Sequence, residues 1–193
     1  MPVTLIEQEP GCGPAAPVPI LQWEKEFQVL LEIYRRSHAK SLLEIGTYHG
    51  GTLYHWLQNS DPETRIVTAD SYATGIDNRD QYQDWNTNNC VLTVIEGNTN
   101  LPGTADKIEA LAPFDWLFID AGHYLQEVTA DWNLYRPMVR NGGIACLHDI
   151  LTHPSWPSIE VGQLWAQIKN DYDTFEIVAD PHAQWGGIGV VLL

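Results

Sequence analysis

Basic residues are scarce in this chain. Ten Lys and Arg stand against 25 Asp and Glu, a formal net charge of −15 over 193 residues. Nucleic-acid binding needs a basic face to neutralise phosphates, and docking on an anionic membrane needs a basic cluster, so both are argued against. Solubility alone accounts for an acidic surface. Cysteine is rarer still: Cys12, Cys90 and Cys146 are odd in number and far apart. That spacing forms neither a disulfide framework nor a zinc knuckle, and a reducing cytoplasm is the expected setting. No apolar run approaches the ~18 residues of a membrane span. Residues 1–20 also lack the basic n-region and continuous apolar h-region of a signal peptide.

What is present is a core-forming composition, 44% hydrophobic, with a length suited to one domain. The stretch "EPGCGPAAPVP" is rich in Pro and Gly and predicts an irregular N-terminal arm over 1–19, followed by a single domain over 20–193. From residue 20, apolar side chains recur at Ile20, Trp23, Phe27, Leu30, Leu31 and Tyr34, which is helical spacing. Strand candidates follow at 41–45, 65–69, 91–95, 115–119 and 143–147. Helix candidates lie between and around them at 51–58, 79–88, 103–111 and 123–138. A last helix over 158–170 precedes two strands, 175–178 and 188–193, whose short connection predicts antiparallel pairing. The alternation implies an α/β, doubly wound, mostly parallel seven-stranded sheet closed by an antiparallel C-terminal pair. Ligands of such sheets bind beyond the carboxyl ends of the strands, at the switch point in strand order.

Those strand ends share a chemistry. They carry Glu44-Ile45-Gly46, Asp70, Glu96-Gly97-Asn98, Asp120 and His148-Asp149. One acidic residue after a strand is ordinary turn chemistry, but five at one sheet edge call for a ligand. The first strand runs into "GTYHGGT" (46–52), which holds no Lys or Arg. Tyr48 stands where a dinucleotide fingerprint needs its second glycine, and Gly-Gly-Thr replaces the Gly-Lys-Ser/Thr of a phosphate loop. An acidic mouth suits a cofactor with an amine, a ribose and a sulfonium, the groups of S-adenosylmethionine.

The segment 44–52 resembles motif I of class I S-adenosylmethionine-dependent methyltransferases. With "FDWLFIDAGH" (114–123), "EVTADWNLYRPMVRNGGIACLHDI" (127–150) and "VGQLW" (161–165), the chain is similar to a small group of them. That group is related to the cephalosporin hydroxylase/macrolide sugar O-methyltransferase proteins, and the likeness spans about residues 40–170 by motif order. The resemblance implies a Rossmann-like methyltransferase fold. It also implies that Glu44 lies near the cofactor's ammonium, Gly46 and Gly50 allow close backbone approach, Asp70 accepts both ribose hydroxyls and Asn98 reads adenine.

In metal-dependent relatives, positions matching Asp120, His148 and Asp149 hold a divalent cation. Here the pair His148-Asp149 replaces two acidic residues, leaving Mg²⁺, Mn²⁺ or no metal open. His123, three residues after Asp120, is placed to accept the proton of a hydroxyl acceptor, since histidine titrates near neutral pH. The expected function is O-methylation of a small-molecule hydroxyl acceptor such as a sugar or polyol, with His123 and Asp120 as catalytic residues. Two other functions compete: a non-heme iron oxygenase using His123, His148 and Asp120, and a non-catalytic nucleoside- or cofactor-binding module.

Overall fold

The structure, a computed structural model, describes residues 16–71, 79–152, 154–180, 182 and 184–193. Most of the arm expected over 1–19, together with Cys12 and His153, therefore lies outside the described residues. Helix α1 (Glu24–Ser37) opens with Glu24 and Glu26 and closes with Arg35 and Arg36, charges that complement the helix dipole. Its buried stripe is Phe27, Leu30, Leu31 and Tyr34, as the spacing predicts. Next come β1 (Ser41–Ile45), α2 (Gly51–Asn59), β2 (Arg65–Asp70), α3 (Arg79–Trp85), β3 (Val91–Glu96) and α4 (Pro102–Glu109). The second half contains β4 (Phe114–Ile119), α5 (Leu125–Tyr135), β5 (Val139–His148), α6 (Val161–Asp171), β6 (Asp173–Ile177) and β7 (Ile188–Leu192).

The seven strands form one sheet in the order β3-β2-β1-β4-β5-β7-β6. β1 to β5 are mutually parallel, and β7 runs antiparallel to both β5 and β6. One core, against α4, α5 and α6, gathers Leu43, Val67, Ile108, Trp132 and Trp165. The opposite core, against α1, α2 and α3, gathers Phe27, Trp56, Tyr82, Trp116 and Phe118. β1 is buried at all five residues, as befits a central parallel strand covered on both faces.

Strand order reverses between β1 and β4, so the chain leaves these neighbours toward opposite edges. Ile45 pairs with Ile119, which brings Gly46 and Asp120 side by side, and Ile119 pairs with Leu147, which sets His148 and Asp149 beside them. The switch point thus receives four of the residues singled out from sequence.

Several boundaries differ from expectation for identifiable reasons. α5 begins at Leu125 rather than 123, which leaves His123 in the preceding loop. α6 begins at Val161 rather than 158, because Glu160 is engaged with that same loop: its N–H donates to His123 O at 2.8 Å. α3 stops at Trp85 because Asn86 turns the chain, exchanging hydrogen bonds with the backbone of Cys90. β5 starts four residues early, with a register shift against β4 where Gly142 takes φ +76°.

Candidate active site

The loop after β1 is closed against β4. A Cβ on Gly46 would collide with the carbonyl of Asp120, and its φ of +97° is itself a glycine conformation. Gly50, at φ +86°, is packed against Tyr82 and Trp85. Asp70, at the end of β2, accepts the backbone N–H of Tyr48 at 2.7 Å and so holds the glycine loop at the mouth. Asn98 is exposed and its Oδ1 accepts the N–H of Asn100 at 2.9 Å, a turn-forming bond.

Two expectations are corrected here. Glu44 does not face the mouth: it is fully buried on the α2 side of β1. Its carboxylate accepts from Thr52 Oγ1 at 2.7 Å, Trp56 Nε1 at 2.9 Å and Thr68 Oγ1 at 2.6 Å. Burial outweighs those donors and raises its pKa to about 7. Glu44 braces the loop from below instead of meeting a ligand's ammonium. Glu96, ending β3, does not converge on the mouth as a lone acid either, since Arg79 Nη1 lies 2.5 Å from its carboxylate.

The remaining groups converge. One donor atom each from Asp120, His123 and Asp149 lie within 4.8 Å of one another. His123 Nε2 is 3.0 Å from Asp149 Oδ2 and 3.8 Å from Asp120 Oδ1. Desolvation presses the His123 pKa down, but the Asp149 hydrogen bond and the two carboxylate charges outweigh it, and the pKa is raised. His148 joins the same group from below. It is buried beneath the cluster, with Nδ1 at 3.3 Å from Asp120 Oδ1 and 3.5 Å from Asp149 Oδ2. Burial opposes its imidazolium, yet the two flanking carboxylates win and hold its pKa well above the usual range. Both histidines thus approach both aspartates, His123 from the half-exposed side and His148 from the buried side. Asp149 itself sits at φ +62°, a left-handed conformation uncommon outside glycine, Asn and Asp.

Three supporting residues carried no sequence signal. Gln22, ahead of α1, donates its Nε2–H to Asp120 Oδ2. Glu160 Oε2 accepts the N–H of Leu125 at 2.8 Å, capping α5 from outside while its own N–H holds the His123 carbonyl. Glu26, buried on α1, accepts from the N–H groups of Ala179 and Gly187, both at 2.9 Å. Gly187 O in turn accepts from Ile150, the residue after Asp149. Each contact spans at least 35 residues of chain, and a polar residue beside an apolar stripe does not announce such a partner.

A family model described as a methyltransferase domain matches residues 43–150, which includes the glycine loop, Asp70, Asp120, His123 and Asp149. The chain belongs to the methyltransferase domain family. No curated protein matches the sequence significantly. Among solved structures, the O-methyltransferase TomG from Streptomyces achromogenes, involved in tomaymycin synthesis and in complex with SAM, aligns with a TM-score of 0.66. It is 18% identical, over 86% of this chain and 78% of that one. The O-methyltransferase from Bacillus cereus in complex with SAH aligns with a TM-score of 0.68 at 18% identity, over 93% and 84% of the two chains. MycE, the methyltransferase of the mycinamycin biosynthetic pathway in complex with Mg and SAH, aligns with a TM-score of 0.56 at 20% identity. That match covers 86% of this chain but only 48% of MycE.

The class I methyltransferase resemblance and the doubly wound sheet both hold in this methyltransferase. Among the described residues, no helix is long and apolar enough to cross a membrane.

Proposed function

We propose that this methyltransferase moves a methyl group from S-adenosylmethionine to a hydroxyl oxygen of a small molecule, a sugar or polyol being the class in view, with residues 20–193 acting as one domain. The observation that carries this reading is the convergence of Asp120, His123 and Asp149 beside the glycine loop at the sheet's switch point. The loop fits the cofactor. Gly46, with no side chain, lets the loop lie against the Asp120 carbonyl beside the cluster, no Lys or Arg in the loop seeks a phosphate, and a half-buried carboxylate stands at the end of β2.

S-adenosylmethionine supplies an electrophilic methyl group on a sulfonium centre. The chain's own residues bind, orient and deprotonate. Gly46 and Gly50 shape the loop around the cofactor, Asp70 accepts its ribose hydroxyls, and the turn at Asn98 flanks its adenine. His123 keeps its Nε2–H toward Asp149, which leaves Nδ1 to take the acceptor's proton. Asp120 and Asp149 orient the ring and stabilise the imidazolium that forms. His148 supports both aspartates from below, with Nδ1 3.3 Å from Asp120 Oδ1 and 3.5 Å from Asp149 Oδ2.

The donor set also supports a second reading. Two carboxylates and one imidazole within 4.8 Å fit a divalent cation, Mg²⁺ or Mn²⁺, held by Asp120, Asp149 and His123 Nε2. Such a cation would act as a Lewis acid on the acceptor oxygen, and it would end the role of His123 as a base. The iron oxygenase reading loses its ground, because the chain belongs to the methyltransferase domain family and that reading leaves the glycine loop without a role.

Calorimetry tests the cofactor assignment. S-adenosylmethionine is expected to bind, and Asp70→Ala to weaken it by about 1.5–3 kcal/mol, the scale of a hydrogen bond to a charged group. Unchanged affinity in that variant, or NADH binding in its place, overturns the assignment.

A further inference from the structure

The segment leading into α1 lies across the site. Ala16, Val18 and Ile20 pack on the core formed with α1, α2 and α3. The carbonyl of Pro19 rests so close to Gly51, the first residue of α2, that a Cβ there would collide with it. Trp23 stacks on Trp185 of the β6–β7 loop, with ring centroids 4.7 Å apart. Between these anchors sits Gln22, 4% exposed, with Nε2–H donating to Asp120 Oδ2. The other oxygen, Asp120 Oδ1, is the one facing His148 and His123.

The other half of the Gln22 amide is telling. Its Oε1 is buried and has no hydrogen-bond partner. A buried carbonyl left unpaired costs about 1–3 kcal/mol, and an apolar side chain of the same length would avoid that loss. Packing alone therefore favours another residue here. What Gln22 supplies that methionine could not is the donor on Asp120.

We propose that Gln22 is a positioning residue for methyl transfer, and that the strap over residues 19–23 is a wall of the acceptor site. By occupying Oδ2, the amide fixes the Asp120 carboxylate so that Oδ1 alone is turned toward the imidazoles. The strap ties this orientation to α2 on one side and to the β6–β7 loop on the other. The proposal rests on the methyltransfer reading of the cluster and adds to it a residue outside the strand ends, outside the segment matched by the family model.

Gln22→Met tests it, since methionine keeps the length and removes both amide groups. The variant is expected to melt near the wild-type temperature, because the loss of the unpaired carbonyl offsets the loss of the donor to Asp120, and to bind S-adenosylmethionine as tightly. Turnover is expected to fall about 10–100-fold, the usual loss when a reacting group is misplaced by a fraction of an ångström to an ångström. A packing role would lower stability and leave turnover alone, so the two roles move different readouts. Wild-type turnover in Gln22→Met overturns the proposal. A second measurement needs no acceptor: the side-chain amide resonance of Gln22 is expected to move in Asp120→Ala. If it stays in place, the contact and the proposal both fall. Should the wild-type protein transfer no methyl group at all while that resonance moves, the functional reading fails and the Gln22–Asp120 contact stands.

Discussion

At the scale of single residues, the sequence disclosed chemistry better than orientation. Asp120, His123 and Asp149 were legible because strand ends and the following loop are where a parallel sheet presents its ligand groups. Glu44 was legible as important but not in its role, since the step from strand to turn does not reveal which face a side chain takes. Its burial yields a prediction about stability. A carboxyl group whose folded pKa is raised, here from 4.5 to about 7, stabilises the fold below pH 4.5. That contribution is lost as pH rises through about 7. At ~1.36 kcal/mol per unit, the loss is about 3 kcal/mol. Asp131, also raised to about 7 by burial, tilts the wild-type profile in the same direction. Glu44→Gln is therefore expected to fall less in stability between pH 5 and pH 8 than wild type does, as measured by denaturant titration at both values. An identical fall in the two proteins contradicts the assignment of a buried carboxyl whose desolvation outweighs its hydrogen bonds.

At the scale of elements, helices and strands were found where apolar periodicity put them, and the misplaced boundaries were those fixed by distant contacts. The start of α5 shows this. Nothing in "DAGHYLQEV" (120–128) supplies a side-chain cap, because the cap comes from Glu160 on the approach to α6. That carboxylate closes one of the unpaired N–H groups at a helix start, while its backbone holds the His123 carbonyl. Glu160→Ala is expected to cost about 1 kcal/mol of stability, as lost caps do. Its turnover is expected to drop further than its cofactor affinity, because the loop it releases carries His123. Steady-state kinetics beside calorimetry separate the two effects. Full turnover in a variant that has lost the expected stability would show that the loop is held without Glu160.

At the scale of the whole molecule, the doubly wound sheet with its antiparallel C-terminal pair follows from the alternation of elements, as does the switch point between β1 and β4. The strap was not legible, because a proline-bearing run before a helix reads as a connection until its partner 98 residues away is seen. Sheet, loop, strap and the Glu26-braced β6–β7 loop surround one acidic mouth, and the account stands on methyl transfer to a hydroxyl occurring there with His123 as base. The most direct test is transfer of labelled methyl from S-adenosylmethionine to a panel of sugars and polyols, followed across pH in wild type and His123→Ala. Only neutral imidazole accepts a proton, and the His123 pKa is raised from 6.5. Wild-type activity is therefore expected to climb with pH, with its midpoint above 6.5. His123→Ala is expected to lose about 10²–10⁴ in turnover, the weight of general base catalysis, with cofactor affinity unchanged. A His123→Ala protein that methylates the same acceptor at the wild-type rate would contradict the account.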